Sequence, residues 1–168
     1  MKISVKKKTA TAGALIAAAC MTVLAAQTPA SAQSMSSGLA NWQTGYCLDG
    51  DKEGAVYTRG NSNGCGANNP YQRWIFHATG SGLMLESTKT HLCLTGGGPG
   101  SDLVTAKPCD STDPRQWWEQ HYVMKDVYWL LNKQNKRALD SNMKGGVYTS
   151  PFSDSNQWMK WYIPYTSN

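Results

Sequence analysis

The stretch Tyr71-Gln72-Arg73-Trp74 decides the fold, because two further versions of it follow at nearly constant intervals. They are Arg115-Gln116-Trp117-Trp118 and the altered form Met159-Lys160-Trp161. The steps between the last tryptophans are 44 and 43 residues. Self-similarity at a fixed period indicates a body assembled from one repeated structural unit. The chain after its N-terminal segment therefore consists of three units of about 45 residues.

Each unit extends upstream of this stretch in the same register. It opens with a short, mostly apolar segment, in the forms Tyr46-Cys47-Leu48-Asp49, Leu92-Cys93-Leu94-Thr95 and Arg137-Ala138-Leu139-Asp140. The steps from Cys47 to Cys93 and from Cys93 to Ala138 are 46 and 45 residues. This alignment places the three repeats at about 38–82, 83–126 and 127–168.

The units read as short β-strands separated by turns. Turn-forming residues cluster at 51–54, 96–100 and 142–145. The runs between them alternate or are briefly apolar, and no segment after residue 33 keeps a helical period over three turns. One such unit cannot bury its own apolar face, whereas three units closed around a pseudo-threefold axis can. We therefore expect an all-β domain with pseudo-threefold symmetry.

The last tryptophan of each unit is assigned to a shared core. Large aromatic side chains at one fixed repeat position are suited to fill the centre of a closed body. We expect Trp74, Trp118 and Trp161 in this core, together with Gln72 and Gln116. Four further tryptophans fall outside the fixed position, and one or two of them are expected at the surface. They are Trp42, Trp117, Trp129 and Trp158.

Cysteines are present in two units and absent from the third. Four follow the N-terminal segment, and by number alone they allow three pairings. The third unit has Ala138 and Phe152 at the corresponding positions, so both cysteines of a pair are lost together. This joint loss favours bonds within a repeat, each worth about 3 kcal/mol on the chain-entropy estimate. We expect Phe152 to fill the corresponding space with apolar contacts. The predicted disulfides are Cys47–Cys65 and Cys93–Cys109.

The first 32 residues are interpreted as a secretory signal peptide. Four lysines form a basic head, an apolar stretch follows from about Ala12 to Ala26, and Ala30-Ser31-Ala32 resembles a cleavage site. The mature chain, residues 33–168, is expected to be one extracellular domain. Removal of the four lysines leaves 12 basic and 11 acidic residues, a net charge of +1. This balance argues against a nucleic-acid partner, and the apolar stretch is too short for membrane insertion.

Other chemical signatures are weak. Asp49-Gly50-Asp51 begins like a calcium loop, but Gly60 stands where the twelfth-position glutamate belongs. His77, His91 and His121 lack the spacing of metal ligands. No nucleophile–base set or carboxylate pair occurs at a recognisable spacing. We therefore predict a protein that is not an enzyme, with no catalytic residues, no metal and no cofactor.

The Gln-x-Trp ending of the first two repeats resembles the signature of ricin B-type lectins. With a third copy in register, the resemblance covers essentially the whole mature chain. The third repeat, from Leu139 to Pro151, and the segment Val56-Tyr57-Thr58 are similar to the repeats of the actinohivin-like group of three-repeat actinomycete lectins. The resemblance implies a β-trefoil of twelve strands that binds mannose-type or galactose-type glycans.

The resemblance also implies sugar-binding residues. A sugar site needs a carboxylate that accepts two hydroxyl hydrogen bonds, and an apolar wall for the C–H face of the ring. In the family, these roles belong to the aspartate after the Cys-Leu position and to the tyrosine of Val-Tyr-Thr. They fall on Asp49 and Tyr57 in the first repeat. In the third repeat they fall on Asp140 and Tyr148, with Asn142 as a supporting amide.

The second repeat departs from this pattern, because Thr95 and Thr105 replace both groups. Its site is therefore expected to be inactive. An aspartate at the end of a strand can also cap a turn, and a tyrosine in a strand can simply pack. The aspartate and the tyrosine occur together in two repeats and are absent together from the other, which favours a role in ligand binding. The stacking tryptophan of ricin-type sites is missing from all three repeats.

Two functions remain open at this point. The first is a secreted lectin for glycans or glycoproteins, in which two weak sites on one rigid body gain affinity through multivalency. The second is a targeting or adaptor subunit of a secreted toxin or protein complex, with degenerate sugar sites. A hydrolase inhibitor is a weaker third candidate, because no exposed inhibitory loop is recognisable.

The disulfide assignment predicts the thiol content of the secreted protein. Reduction should change its mobility on a denaturing gel, and thiol titration before reduction should detect no free thiol. The matched variants Cys65→Ser and Cys109→Ser should each release one titratable thiol. Free thiols in the unaltered mature protein would contradict the assignment.

Overall fold

Short strands joined by turns make up the computed structural model, which describes residues 35–80, 82–98 and 100–164. These ranges contain thirteen strands and no α-helix. The strands are β1 (Met35–Ser37), β2 (Ala40–Asn41), β3 (Cys47–Gly50), β4 (Val56–Arg59), β5 (Trp74–Thr79), β6 (Gly82–Ser87), β7 (Leu92–Thr95), β8 (Thr105–Pro108), β9 (Trp118–Met124), β10 (Val127–Asn132), β11 (Ala138–Ser141), β12 (Val147–Ser150) and β13 (Lys160–Tyr162).

A 3₁₀ turn lies just upstream of each repeat tryptophan. The three turns are Pro70–Gln72, Pro114–Gln116 and Gln157–Met159. Each is capped by the residue before it, whose side-chain oxygen accepts a hydrogen bond from a backbone N–H two positions later. The capping residues are Asn69, Asp113 and Asn156, with N···O distances of 3.1, 3.0 and 3.0 Å. Proline in the first two turns fits the first helical position, where no N–H is needed.

The long strands close into a barrel. The antiparallel path runs β1-β5-β6-β9-β10-β13-β2. Only Gly38 and Leu39 separate β1 from β2, so the path returns to the segment on which it began. A Cβ at Gly38 would lie 2.4 Å from the Cβ of Cys65, so the chain can pass there only as glycine. Closure of this kind leaves few free strand edges.

Three hairpins, β3–β4, β7–β8 and β11–β12, branch from the barrel strands β2, β6 and β10. Each hairpin accepts one backbone hydrogen bond from the next repeat, so the three form a ring. The bonds run from Ala106 N–H to the Gly54 carbonyl (2.8 Å), from Thr149 N–H to the Asp102 carbonyl (2.7 Å) and from Thr58 N–H to the Gly145 carbonyl (2.8 Å). The barrel and this ring form a β-trefoil, and the predicted fold class is confirmed.

The tryptophans Trp74, Trp118 and Trp161 are fully buried in one apolar core. Each Nε1–H donates to a leucine carbonyl of its own repeat. The acceptors are Leu48 (3.2 Å), Leu94 (3.1 Å) and Leu139 (3.0 Å). Gln72 and Gln116 are 1% exposed, and the third repeat has Met159 buried at that position. The same contact therefore recurs at every repeat, as a pseudo-threefold axis requires.

The number of strands differs from the expectation, and part of the chain lies outside the described residues. The expected twelve strands become thirteen in the described ranges, because the first barrel strand is divided into β1 and β2. The predicted signal peptide and the last four residues lie outside the described residues. Within those ranges, no helix is both long enough and apolar enough to span a membrane.

Both predicted disulfides, Cys47–Cys65 and Cys93–Cys109, are present. Phe152 makes an apolar contact as expected, but it does so at the surface. It is 43% exposed and contacts the edge of the Trp129 ring, with the ring centroids 5.1 Å apart. Ala138, which aligns with the first cysteine of the other repeats, is fully buried. The third repeat therefore has a surface aromatic contact where the other two have a disulfide.

The tryptophan hydrogen bond can be tested by substituting its donor. Trp161→Phe leaves the Leu139 carbonyl buried without a partner and opens a small cavity, which together should cost about 2–4 kcal/mol of unfolding free energy. The matched substitution Trp42→Phe alters a tryptophan that is 45% exposed, and should change stability by less than about 0.5 kcal/mol. Urea unfolding followed by circular dichroism measures both. Equal losses of unfolding free energy in the two variants would contradict a stabilising role for the Trp161 hydrogen bond.

Candidate functional site

The candidate sugar-binding residues face each other across the hairpins. Asp49 lies directly opposite Tyr57 in β3–β4, and Asp140 lies directly opposite Tyr148 in β11–β12. Residues paired in this way point to the same face of an antiparallel ladder. The fold therefore places a carboxylate beside an aromatic ring twice. In the second repeat, Thr95 lies opposite Thr105 in β7–β8, at the same place in the hairpin.

In the first repeat, the Asp49 carboxylate is almost fully buried, with 1% exposure. Its Oδ2 accepts hydrogen bonds from Asn69 Nδ2 (2.9 Å) and Gln72 Nε2 (3.1 Å). Its Oδ1 is buried and has no hydrogen-bond partner within the described protein. A buried acceptor without a donor is costly and rare in folded proteins.

A chain of hydrogen bonds sets the direction of the Gln72 amide. The backbone N–H of Asn63 donates to Asn61 Oδ1 (3.1 Å), which directs Asn61 Nδ2 to Gln72 Oε1 (2.8 Å). Gln72 must then present its Nε2 to Asp49. Because a backbone N–H can only donate, the whole chain has one orientation. The first carboxylate is therefore held by fixed donors.

In the third repeat, the Asp140 carboxylate is 3% exposed and has different partners. Its Oδ1 accepts from the Ser141 N–H (2.8 Å), and its Oδ2 accepts from Asn156 Nδ2 (3.3 Å). Met159 replaces the glutamine and can donate nothing. Burial raises the pKa of Asp140, and hydrogen bonds from Ser150, Ser141 and Asn156 offset this only in part.

The two tyrosines form the outer part of each site. Tyr57 and Tyr148 are partly exposed. Partial burial is the main cause that raises the pKa of each phenol, and the charge of the neighbouring aspartate raises it further. The Tyr148 hydroxyl donates to the Ser141 carbonyl (3.3 Å), which holds the ring across the hairpin. The Asn142 Oδ1 accepts from the N–H groups of Lys144 (2.9 Å) and Gly146 (3.1 Å). Asn142 therefore orders the turn through its carbonyl oxygen, and only its amide nitrogen is turned to Tyr148.

The second repeat has a different polar network. Thr95 Oγ1 donates to the Cys93 carbonyl (2.9 Å), inside its own strand. Asp113, the capping residue, forms an ion pair with Arg115 (2.6 Å) rather than approaching a carboxylate. Gln116 binds backbone groups of Asp110 and Pro108. This repeat has neither a carboxylate nor an aromatic ring at the position that defines the other two sites.

Sequence reasoning missed Asn69 and Asn156, whose amides contact the two carboxylates. A signal for them exists, because Asn69, Asp113 and Asn156 each lie five residues before the repeat tryptophan. Their capping role is local and visible in the sequence. Their contact with residues 20 and 16 positions away depends on the folded hairpin.

The remaining predicted or considered residues have ordinary structural roles. Trp117 is 8% exposed and donates to the Ser111 carbonyl (3.0 Å), and Trp129 and Trp158 are partly buried. His77 and His91 both contact Glu86, at 2.7 and 2.8 Å. In the part of the chain that the structure describes, no group of three or more histidines, cysteines or acidic residues is arranged to hold a metal ion.

The whole described domain matches a known family. Residues 35–161 match the model of the ricin-type beta-trefoil lectin domain. The chain belongs to this family. Ricin-type lectin domains bind carbohydrate and are not catalytic. The paired carboxylates and tyrosines of this ricin-type domain thus lie in a fold that is used for sugar recognition.

Solved structures show the same fold at low sequence identity. The designed threefold-symmetric protein ThreeFoil has a TM-score of 0.66 and 16% identity, over 76% of this chain and 96% of its own. SeviL bound to the asialo-GM1 saccharide has a TM-score of 0.62 and 17% identity, over 77% and 96%. A mosquitocidal holotoxin has a TM-score of 0.67 and 17% identity, over 80% of this chain but 17% of the toxin. No curated protein sequence matches this ricin-type chain.

The raised pKa of Asp140 predicts a pH-dependent stability difference. A carboxyl group whose pKa is raised in the folded state contributes most stability below its unfolded pKa, and this contribution is lost as the pH rises. Asp140→Asn removes the titration. The unfolding free energy of Asp140→Asn minus that of the unaltered protein should therefore become more positive as the pH rises from about 3.5 to 7. Urea titrations at several pH values measure this difference.

The matched substitution Asp113→Asn should give the opposite sign. The hydrogen bond with Arg115 lowers the pKa of Asp113 despite some burial, so this group stabilises the fold above its unfolded pKa. The corresponding difference for Asp113→Asn should become more negative as the pH rises. Parallel pH profiles for the two variants would contradict the opposite directions of the two pKa shifts.

Proposed function

We propose that this protein is a secreted lectin that binds mannose-type or galactose-type glycans through the first and third repeats, as the actinohivin-like resemblance suggests. The observation that carries the proposal is the repeated pairing of Asp49 with Tyr57 and of Asp140 with Tyr148. An asparagine amide contacts each carboxylate. The second repeat has threonines at the aspartate and tyrosine positions. Two disulfides and the predicted signal peptide support an extracellular location.

The geometry suits a sugar ring. The aspartate supplies acceptors for vicinal hydroxyl groups, the neighbouring amide can donate to the same ring, and the tyrosine offers an apolar face to its C–H groups. Single shallow sites of this kind bind with affinities of about 1 mM. Two sites on one rigid body raise the apparent affinity on a surface with many glycans.

Binding to a glycan array tests the proposal. Asp49→Asn and Asp140→Asn should each weaken binding by about 10- to 100-fold at the altered site, because a charge-assisted hydrogen bond is worth about 1.5–3 kcal/mol. The double variant should lose binding to every glycan that the unaltered protein binds. Circular dichroism confirms that each variant is folded.

Removing the apolar wall gives a second arm of the same test. Tyr57→Ala and Tyr148→Ala should weaken binding, whereas Thr105→Ala, at the corresponding position of the second repeat, should leave it unchanged. Glycan binding that survives in the double aspartate variant would contradict the assignment of the sites.

An adaptor role is the second candidate, and two observations favour it. Both carboxylates are nearly buried, at 1% and 3% exposure, and several large apolar side chains are exposed. The exposed side chains are Trp42, Leu103, Tyr122, Met124, Met143, Phe152 and Tyr162. An adaptor would bind no glycan on the array and would co-elute with another secreted protein. Trp42→Ser or Phe152→Ser should then release that partner.

A further inference from the structure

We propose that Leu103, a residue of the second repeat, forms part of the sugar-contacting wall of the third site. The third site is then built from two repeats, and its selectivity differs from that of the first site. This inference rests on the proposed lectin function, because it concerns the same pair of sites. It gives a ligand role to a repeat that lacks its own carboxylate and aromatic ring.

The position of Leu103 follows from backbone pairing. Leu103 forms an antiparallel bridge with Tyr148, on the side of β12 away from β11. Directly opposed residues point to the same face, so Leu103, Tyr148 and Asp140 form one row across three neighbouring chain segments. Leu103 is 60% exposed and Tyr148 is partly exposed, so both side chains lie on the outer face. Together they extend the apolar surface next to the carboxylate.

The segment that carries Leu103 is firmly attached to the third repeat. The Asp102 carbonyl accepts from the Thr149 N–H (2.7 Å), and the Asp102 carboxylate pairs with Arg137 Nη2 (3.1 Å). Arg137 Nη2 also donates to the Thr149 carbonyl (2.9 Å). The arginine therefore holds the second-repeat segment against β12, and Leu103 lies at a defined place beside Tyr148.

The other two repeats have different residues at this position. Tyr57 of the first site forms its bridge with Gly146, and Thr105 of the second repeat forms its bridge with Ala55. A Cβ at Gly146 would lie 2.8 Å from Asn142 Nδ2, so the first site cannot gain a side-chain wall without disturbing that turn. The two sites share a carboxylate and a tyrosine, and they differ in the neighbour that flanks the tyrosine.

The experiment reads one site at a time. The Asp49→Asn background weakens the first site, so its titration reports mainly the third site, and the Asp140→Asn background reports mainly the first. Methyl α-mannoside and methyl β-galactoside are titrated by NMR against each background with and without Leu103→Ala. The affinity of the third site should fall by about three- to tenfold, since part of an apolar contact is lost. Leu103→Ala should not change the affinity of the first site. Leu103→Met, which keeps an apolar side chain, should leave the third site with the affinity that it has with Leu103.

The possible outcomes distinguish the lectin function from the role of Leu103. If neither glycoside nor any array glycan binds the unaltered protein, the proposed lectin function fails. If Asp140-dependent binding is present and Leu103→Ala leaves it unchanged, the lectin function stands and the Leu103 inference is overturned. An equal loss in both backgrounds also overturns it, because that result would show a general change in the fold.

Discussion

The hydrogen bond from each repeat tryptophan to a leucine carbonyl couples the core of this domain to its surface. Trp74 Nε1 donates to the carbonyl of Leu48, and Asp49 follows on the same peptide unit. Trp161 and Leu139 hold Asp140 in the same way. A buried indole has one donor, and a buried carbonyl needs a partner, so the pairing is strongly favoured. The residue that fills the barrel therefore also determines where the carboxylate lies.

The two carboxylates are held in different ways, and burial costs each of them solvation. Asp49 is held by two amides, and one oxygen remains buried without a donor. Asp140 has lost the glutamine donor to Met159, and burial raises its pKa. Taking a charge out of water is unfavourable unless partners replace the solvent, and such costs are found at functional sites. In the second repeat, the uncharged Thr95 stands at this position and donates to a carbonyl of its own strand.

Divergence among the repeats has changed contacts while keeping the backbone. The first two repeats are closed by disulfides, and the third has Phe152 against Trp129. Because the ring of backbone bonds between hairpins involves no side chain, the repeats can differ without opening the trefoil. The second repeat has threonines in place of the aspartate and the tyrosine, but its Asp102–Leu103 segment still pairs with the third repeat.

The spacing of the tryptophans, cysteines and Val-Tyr-Thr segments was enough to predict the closed three-repeat fold and both disulfides. Period and residue type are local properties of the chain, and three copies confirm one another. The amides of Asn69 and Asn156, the unpaired oxygen of Asp49 and the bridge from Leu103 to Tyr148 became visible only in the tertiary structure. These contacts join residues from different turns or repeats. Their distances depend on how the hairpins pack around the axis, which repeat spacing alone does not specify.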